Sequence, residues 1–330
     1  MWVEMLGGVL ACWLTLLIGV IMGRTRWLIA TRATTFALVP VAMLGILTMG
    51  QPASEELCET LQKGSACQVS YSGEGSEWHT TIPSTLFGAL TLQALMHFLM
   101  GTASASVERK LFVFPCVTIH ACTTIYYFFG ETVAPTCVLT TRWGNELQPL
   151  HYTLWWVSMS AQLLTLYGLE RELCQRAGAF QRSAAATTTA DAPSVVDSDR
   201  MAVRRCAFGL ACVPTMLVLT VYVDVLRGPL VTYLGVFGAF YGALFGSFYA
   251  MLAACGRHAL AANSSSLAFK FRAVAAYFLI AWHVFPTVWA LSLLGLLTPL
   301  QGRLGYLFCD VLAKFLPITL YMSAALELDN

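Results

Sequence analysis

The sequence predicts an all-α membrane protein of nine spans, and three observations carry that reading. Of 330 residues, 57% are hydrophobic and only 11% are charged, where water-exposed domains carry about 25% charge. The apolar residues gather into nine stretches, each near the ~20 residues that a helix needs to cross a bilayer. The basic residues crowd into alternate connections, as the excess of Lys and Arg on the cytoplasmic side of membrane proteins requires. A net charge of +1 and the lack of a basic stripe with interleaved aromatics set nucleic-acid binding aside. Eleven cysteines without C-x-x-C pairs or histidines at ligand spacing give no metal centre.

The stretches run over about 2–23, 33–50, 84–101, 110–130, 146–168, 203–226, 229–254, 270–297 and 303–325. The first opens Met1-Trp2-Val3-Glu4, with neither a basic leader nor a small-residue cleavage site, so it reads as a span and not as a signal peptide. Residues 1–50 hold the first two stretches as a transmembrane hairpin, and 51–83 an extracellular loop carrying Cys58 and Cys67, which an oxidising compartment would allow to pair. The last seven stretches cover 84–326, and 327–330 is a short tail. Arg24, Arg26 and Arg32, then Arg109 and Lys110, then the arginines between 171 and 205, then Arg257, Lys270 and Arg272 mark four cytoplasmic connections. That places the N-terminus outside and the C-terminus in the cytoplasm. Residues 170–202, rich in Ala, Ser, Thr and Asp, are expected to be a disordered cytoplasmic loop, an idle insertion more than a docking segment. Gly235, Gly238, Gly242 and Gly246 recur along one stretch; small residues let helices approach closely in lipid. Internal packing is the expected use, with a contact between copies in a homo-oligomer as the alternative.

Two constellations carry chemistry. Asp310 and Lys314 stand at i and i+4 within the last stretch, on one face and about a turn apart. Ionisable groups at membrane depth are costly and are paired when present. The pair is either a structural lock between helices or a nucleophilic lysine with its balancing carboxylate, as amine chemistry with a carbonyl ligand requires. One helix earlier, Trp282, Phe285 and Trp289 are spaced i, i+3, i+7 around Pro286, which puts three large rings on one face.

Together these resemble the sixth and seventh helices of the microbial (type 1) rhodopsins, whose pattern is Trp-x-x-aromatic-Pro-x-x-Trp followed by Asp-x-x-x-Lys. The resemblance implies that 84–326 is a seven-helix retinal-binding bundle preceded by an extra N-terminal transmembrane hairpin at 1–50, with a covalently held retinal on Lys314 and Asp310 as counterion, boxed by Trp155, Met159, Trp282, Phe285 and Trp289. The third core helix is similar to the family in Tyr152 and Trp155, with Ser158 for a threonine. Tyr126 falls in the place of a tyrosine that hydrogen-bonds the counterion. The departures are functional. Leu154 stands where pumps keep their proton acceptor, Thr165 where they keep the donor, and His151 where they keep an arginine. A vectorial proton pump needs both an acceptor and a donor, and neither leucine nor threonine serves. Glu146 and Asp224 are competing carboxylates nearer the surface. His97, His120 and His283 read as hydrogen-bonded interior residues.

The resemblance to the non-pump members implies a photosensory protein, with a light-gated ion channel as the alternative and a non-photochemical transporter or structural protein of the same fold as a third class. The implied partners are retinal, membrane lipids and a cytoplasmic effector. No enzyme domain is expected within the 330 residues; an effector enzyme would be a separate chain or a further segment.

Overall fold

Long apolar runs without interior water can satisfy their backbone only as helices, and the computed structural model shows this. It describes residues 68–71, 78–101, 107–130, 137–140, 146–147, 149–185, 195–225 and 230–327. Among the described residues there are seven α-helices: α1 Trp78–Gly101, α2 Val107–Thr124, α3 Pro149–Ala185, α4 Val195–Val225, α5 Leu230–Ala261, α6 Ser265–Leu293 and α7 Pro299–Glu327. A π-helical turn, Ile125–Gly130, continues α2. Three short strands, β1 Gln68–Tyr71, β2 Cys137–Thr140 and β3 Glu146–Leu147, pair antiparallel in the order β1-β2-β3, with Val69 opposite Leu139 and Leu139 opposite Leu147. The ribbon was not legible as strands, because four-residue segments inside polar loops carry too little alternation.

The helices form a ring that α7 closes against α1 and α2, while α3 touches α2, α4, α5 and α7. From Val157 to Glu170 every α3 side chain is buried, which is the pattern of a helix enclosed on all sides. The α6–α7 connection is tightly specified. Gly295, at φ +70, ends α6 with N–H bonds from Leu296 to the Leu291 carbonyl and from Gly295 to the Ser292 carbonyl, both 2.9 Å, the closure a left-handed glycine provides. Thr298 then caps α7: its Oγ1 accepts from the Gln301 N–H at 3.3 Å, and Gln301 Oε1 accepts from the Thr298 N–H at 2.9 Å, a reciprocal box with Pro299 at the first helical position. Further along, Gly305 lets α7 approach so closely that a Cβ there would lie 2.9 Å from Val288 Cγ1.

Three expectations are corrected. The core begins at Trp78, inside the segment expected to be loop up to 83. Most of 170–202 is helical, since α3 runs to Ala185 and α4 begins at Val195. The polar composition hid an apolar period: Leu169, Leu173, Cys174 and Ala177 are buried on α3, and Ala202, Cys206, Leu210 and Val213 on α4. The two helices are also joined by an ion pair between Arg205 and the fully buried Glu170. Finally, the α5 glycines do not pack inside the bundle. Gly235, Gly238, Gly242 and Gly246 are exposed, and a Cβ at any of them would meet nothing within 4 Å. The inward face of α5 is built instead from Phe237, Tyr241, Phe245 and Phe248; a helix apolar all round gives no hydropathy signal for which side faces in. The extra hairpin at 1–50 and the cysteines Cys58 and Cys67 lie outside the described residues.

Candidate functional site

The site is built on α7, which the tight α6–α7 turn holds against its neighbours. Asp310 is fully buried and Lys314 is 2% exposed; Nζ lies 2.7 Å from Oδ1, one turn along the helix. A carboxylate has about four acceptor positions, and each finds a partner. On Oδ1, besides Nζ, the Trp155 indole N–H donates at 3.1 Å. On Oδ2, the Tyr127 hydroxyl donates at 2.5 Å, and His151 Nε2 lies at 2.9 Å. Charges taken out of water persist only with such partners.

The expected tyrosine is off by one. Tyr127 holds Asp310, whereas Tyr126 stacks on the His151 ring, centroids 4.6 Å apart and planes at 22°. Both lie in the π-helical turn, whose wider winding re-aims consecutive side chains. Two adjacent tyrosines offer no sequence signal for which one points to α7. His151 is further held by Trp155, ring centroids 4.4 Å apart. Leu154 is fully buried and clusters with Tyr126, Tyr127 and Val157, against which Val311 and Phe315 of α7 pack. Glu146 belongs to β3 and not to α3.

Beside the ion pair lies a cavity lined mainly by apolar and aromatic side chains, the character of small-molecule sites. Lys314, Trp155, Ser158, Met159, Trp282, Phe285 and Trp289 all line it; Tyr126 does not. Its aromatic wall is continuous across helices: Trp155 meets Phe285 edge-on at 5.3 Å, and Phe237 of α5 meets Trp289 at 4.7 Å. Sequence reasoning missed Phe237 and Tyr241 on α5 and Met216 on α4, which also line it; helices this uniformly apolar give no cue. His120 is buried, 5.4 Å from the Phe315 ring. By contrast, His97 and His283 are exposed on the outside, with His283 Nδ1 2.6 Å from the Leu279 carbonyl of its own helix. A ring nitrogen that bonds the preceding turn can face outward, so the interior expectation fails there.

A buried amine next to a fixed carboxylate, opening on a long aromatic cavity, suits an apolar ligand that carries an aldehyde. The family model for bacteriorhodopsin-like proteins matches residues 79–327. The chain belongs to that family. It is a microbial rhodopsin, an integral multi-pass membrane protein that binds retinal as its chromophore. Among solved structures, the transmembrane domain and linker of Salpingoeca rosetta rhodopsin phosphodiesterase is 14% identical, with TM-score 0.59 over 91% of this chain and 83% of that one. The light-driven proton pump of Coccomyxa subellipsoidea is 15% identical, with TM-score 0.54 over 74% of this rhodopsin and 95% of the pump. The Leptosphaeria maculans light-driven proton pump is 16% identical, with TM-score 0.50 over 75% and 94%. No curated protein matches the sequence.

Proposed function

We propose that this rhodopsin is a photosensor, with retinal held by Lys314 and Asp310 as the balancing charge, and not an outward proton pump. Retinal bound through its aldehyde to a lysine amine supplies light absorption and isomerisation. The chain's own residues decide what happens to the proton at Nζ. Asp310, 2.7 Å away, balances the positive charge there, and Tyr127, His151 and Trp155 occupy the rest of its acceptor capacity. The observation that carries the reading is Leu154, fully buried in an apolar cluster where the family's pumps keep an acceptor. On the other side, the Thr165 hydroxyl donates to the Ala161 carbonyl at 2.9 Å and lies 3.8 Å from Cys116 Sγ; it cannot resupply a proton at neutral pH. A protein that absorbs light without moving protons across the membrane passes the event on by shape, so the implied partner is a cytoplasmic effector. Similarity in fold to a rhodopsin phosphodiesterase domain supports that class of partner.

The test is illumination of cells carrying the pigment, with extracellular pH and whole-cell current recorded together. The expected result is neither steady acidification nor sustained current. Uncoupler-sensitive acidification would overturn the reading, and a photocurrent that reverses with voltage would replace it with a light-gated channel.

A further inference from the structure

Proline removes an N–H from a helix and leaves the carbonyl four residues back without its donor. In α6 the proline is Pro286, so the orphaned carbonyl is that of Trp282, at membrane depth, where no bulk water can substitute. The Tyr241 hydroxyl, on α5, donates to that oxygen at 3.0 Å. Tyr241 is itself held in place: Phe237 and Phe245 run parallel to it at 6.0 and 6.4 Å, both at 19°, and the His283 ring meets it edge-on at 5.8 Å. Tyr241, Trp282 and Pro286 all line the cavity that Lys314 enters. A second hydroxyl ties α6 on its other side, where Tyr277 donates to the Leu312 carbonyl of α7 at 2.6 Å, two residues before Lys314.

We propose that Tyr241 is a positioning residue for the light reaction: its hydroxyl stands in for the N–H that Pro286 lacks and so fixes the bend of α6 at Trp282. The inference rests on the reading that this cavity holds retinal on Lys314. With the bond made, Trp282 and Phe285 keep their distance from the lysine. Without it, the helix is free to open between 282 and 286, and the aromatic wall shifts.

The experiment has two arms. In membranes of the retinal-free protein, ¹³C-carbonyl Trp combined with ¹⁵N-His marks only the bonded pairs Trp78–His79 and Trp282–His283. Tyr241→Phe should move the signal that Trp282→Phe removes and leave the other in place. In the retinal-loaded protein, Tyr241→Phe should speed thermal loss of the visible band about tenfold, the scale of one buried carbonyl left unmatched. In a Pro286→Ala background, where residue 286 regains its N–H, the same substitution should change that rate by less than about twofold. Where Tyr241→Phe alone does not fold, recovery of folded protein in the double variant supports the inference, and failure of both overturns it. An unmoved Trp282 carbonyl signal, or an equal effect in both backgrounds, also overturns it. If the wild-type chain forms no visible pigment, the Lys314 reading falls, while the carbonyl signal still decides the role of Tyr241.

Discussion

The two sides of Lys314 are built from different chemistry. Toward the start of α3, Asp310 is gripped by Tyr127, His151 and Trp155, so one fixed negative charge faces Nζ. Toward the end of α3 stand a hydroxyl and an amide bound to backbone: Thr165 to the Ala161 carbonyl, and the Gln162 amide, in the cavity wall, to the Ala313 carbonyl at 3.5 Å. The next buried carboxylate that way on α3 is Glu170, and Arg205 holds it. The contrast is between a carboxylate with every acceptor position filled on one side and, among the described residues of α3 on the other, hydroxyl and amide groups bound to backbone and a carboxylate bound to an arginine. Transport needs both sides to titrate in turn; holding a chromophore and feeling it move needs only the first.

The largest expected effect removes the attachment point. Lys314→Ala should abolish the visible band while the protein still inserts in the membrane; a hydroxylamine-sensitive pigment formed by the variant would contradict the assignment. Next comes the balancing charge. A carboxylate within about 4–6 Å stabilises a cation by the equivalent of ~1–3 pH units. Asp310→Asn should therefore carry the pigment from a visible to a near-ultraviolet band at neutral pH, recoverable by acid. The direction follows because the carboxylate favours the charged form at Nζ, so its loss favours the neutral one. An unchanged spectral titration would pass the role to another carboxylate.

A smaller effect separates the adjacent tyrosines. Tyr127→Phe takes away one of the carboxylate's partners and should move the midpoint of that titration by a fraction of a unit up to about one, the scale of a single hydrogen bond to a charged group, whereas Tyr126→Phe should leave it nearly in place. Equal shifts in both would mean that the π-helical turn does not sort them. The smallest effect lies on the other side: Thr165→Val should leave both the band and its pH dependence unchanged, and a slowed return to the dark state after a flash would show that this side does supply protons.

How much of this was legible depended on whether a residue's role follows from helical period alone. Trp282, Phe285 and Trp289, and Asp310 with Lys314, share faces at spacings that any regular helix enforces, so the sequence reading brings them together as the structure does. Tyr127 was missed because the winding changes beneath it, and a π-helical turn has no residue signature. The helical ends of α3 and α4 were hidden by averaging: Ala, Ser and Thr dominate 170–202, and the buried run through Leu169, Leu173 and Ala177 is thin against them. The outward glycines of α5 were misjudged for a related reason. Spacing shows that they share a face, while only the packed aromatics Phe237, Tyr241 and Phe248 show which way that face turns.

The length of α3 has a mechanical consequence. Its 37 residues span ~55 Å at 1.5 Å per residue, against a hydrocarbon layer of ~30 Å. Trp155, which touches Asp310, sits near one end, and Ala185 is the last residue at the other. A tilt of about 5° pivoting at Trp155 would sweep Ala185 through roughly 4 Å over the ~45 Å between them. Because Glu170 is fastened to Arg205, α4 would be dragged along. Any rotation of α3 about its Trp155 end is therefore enlarged along its length and reaches α4 through the Glu170–Arg205 ion pair.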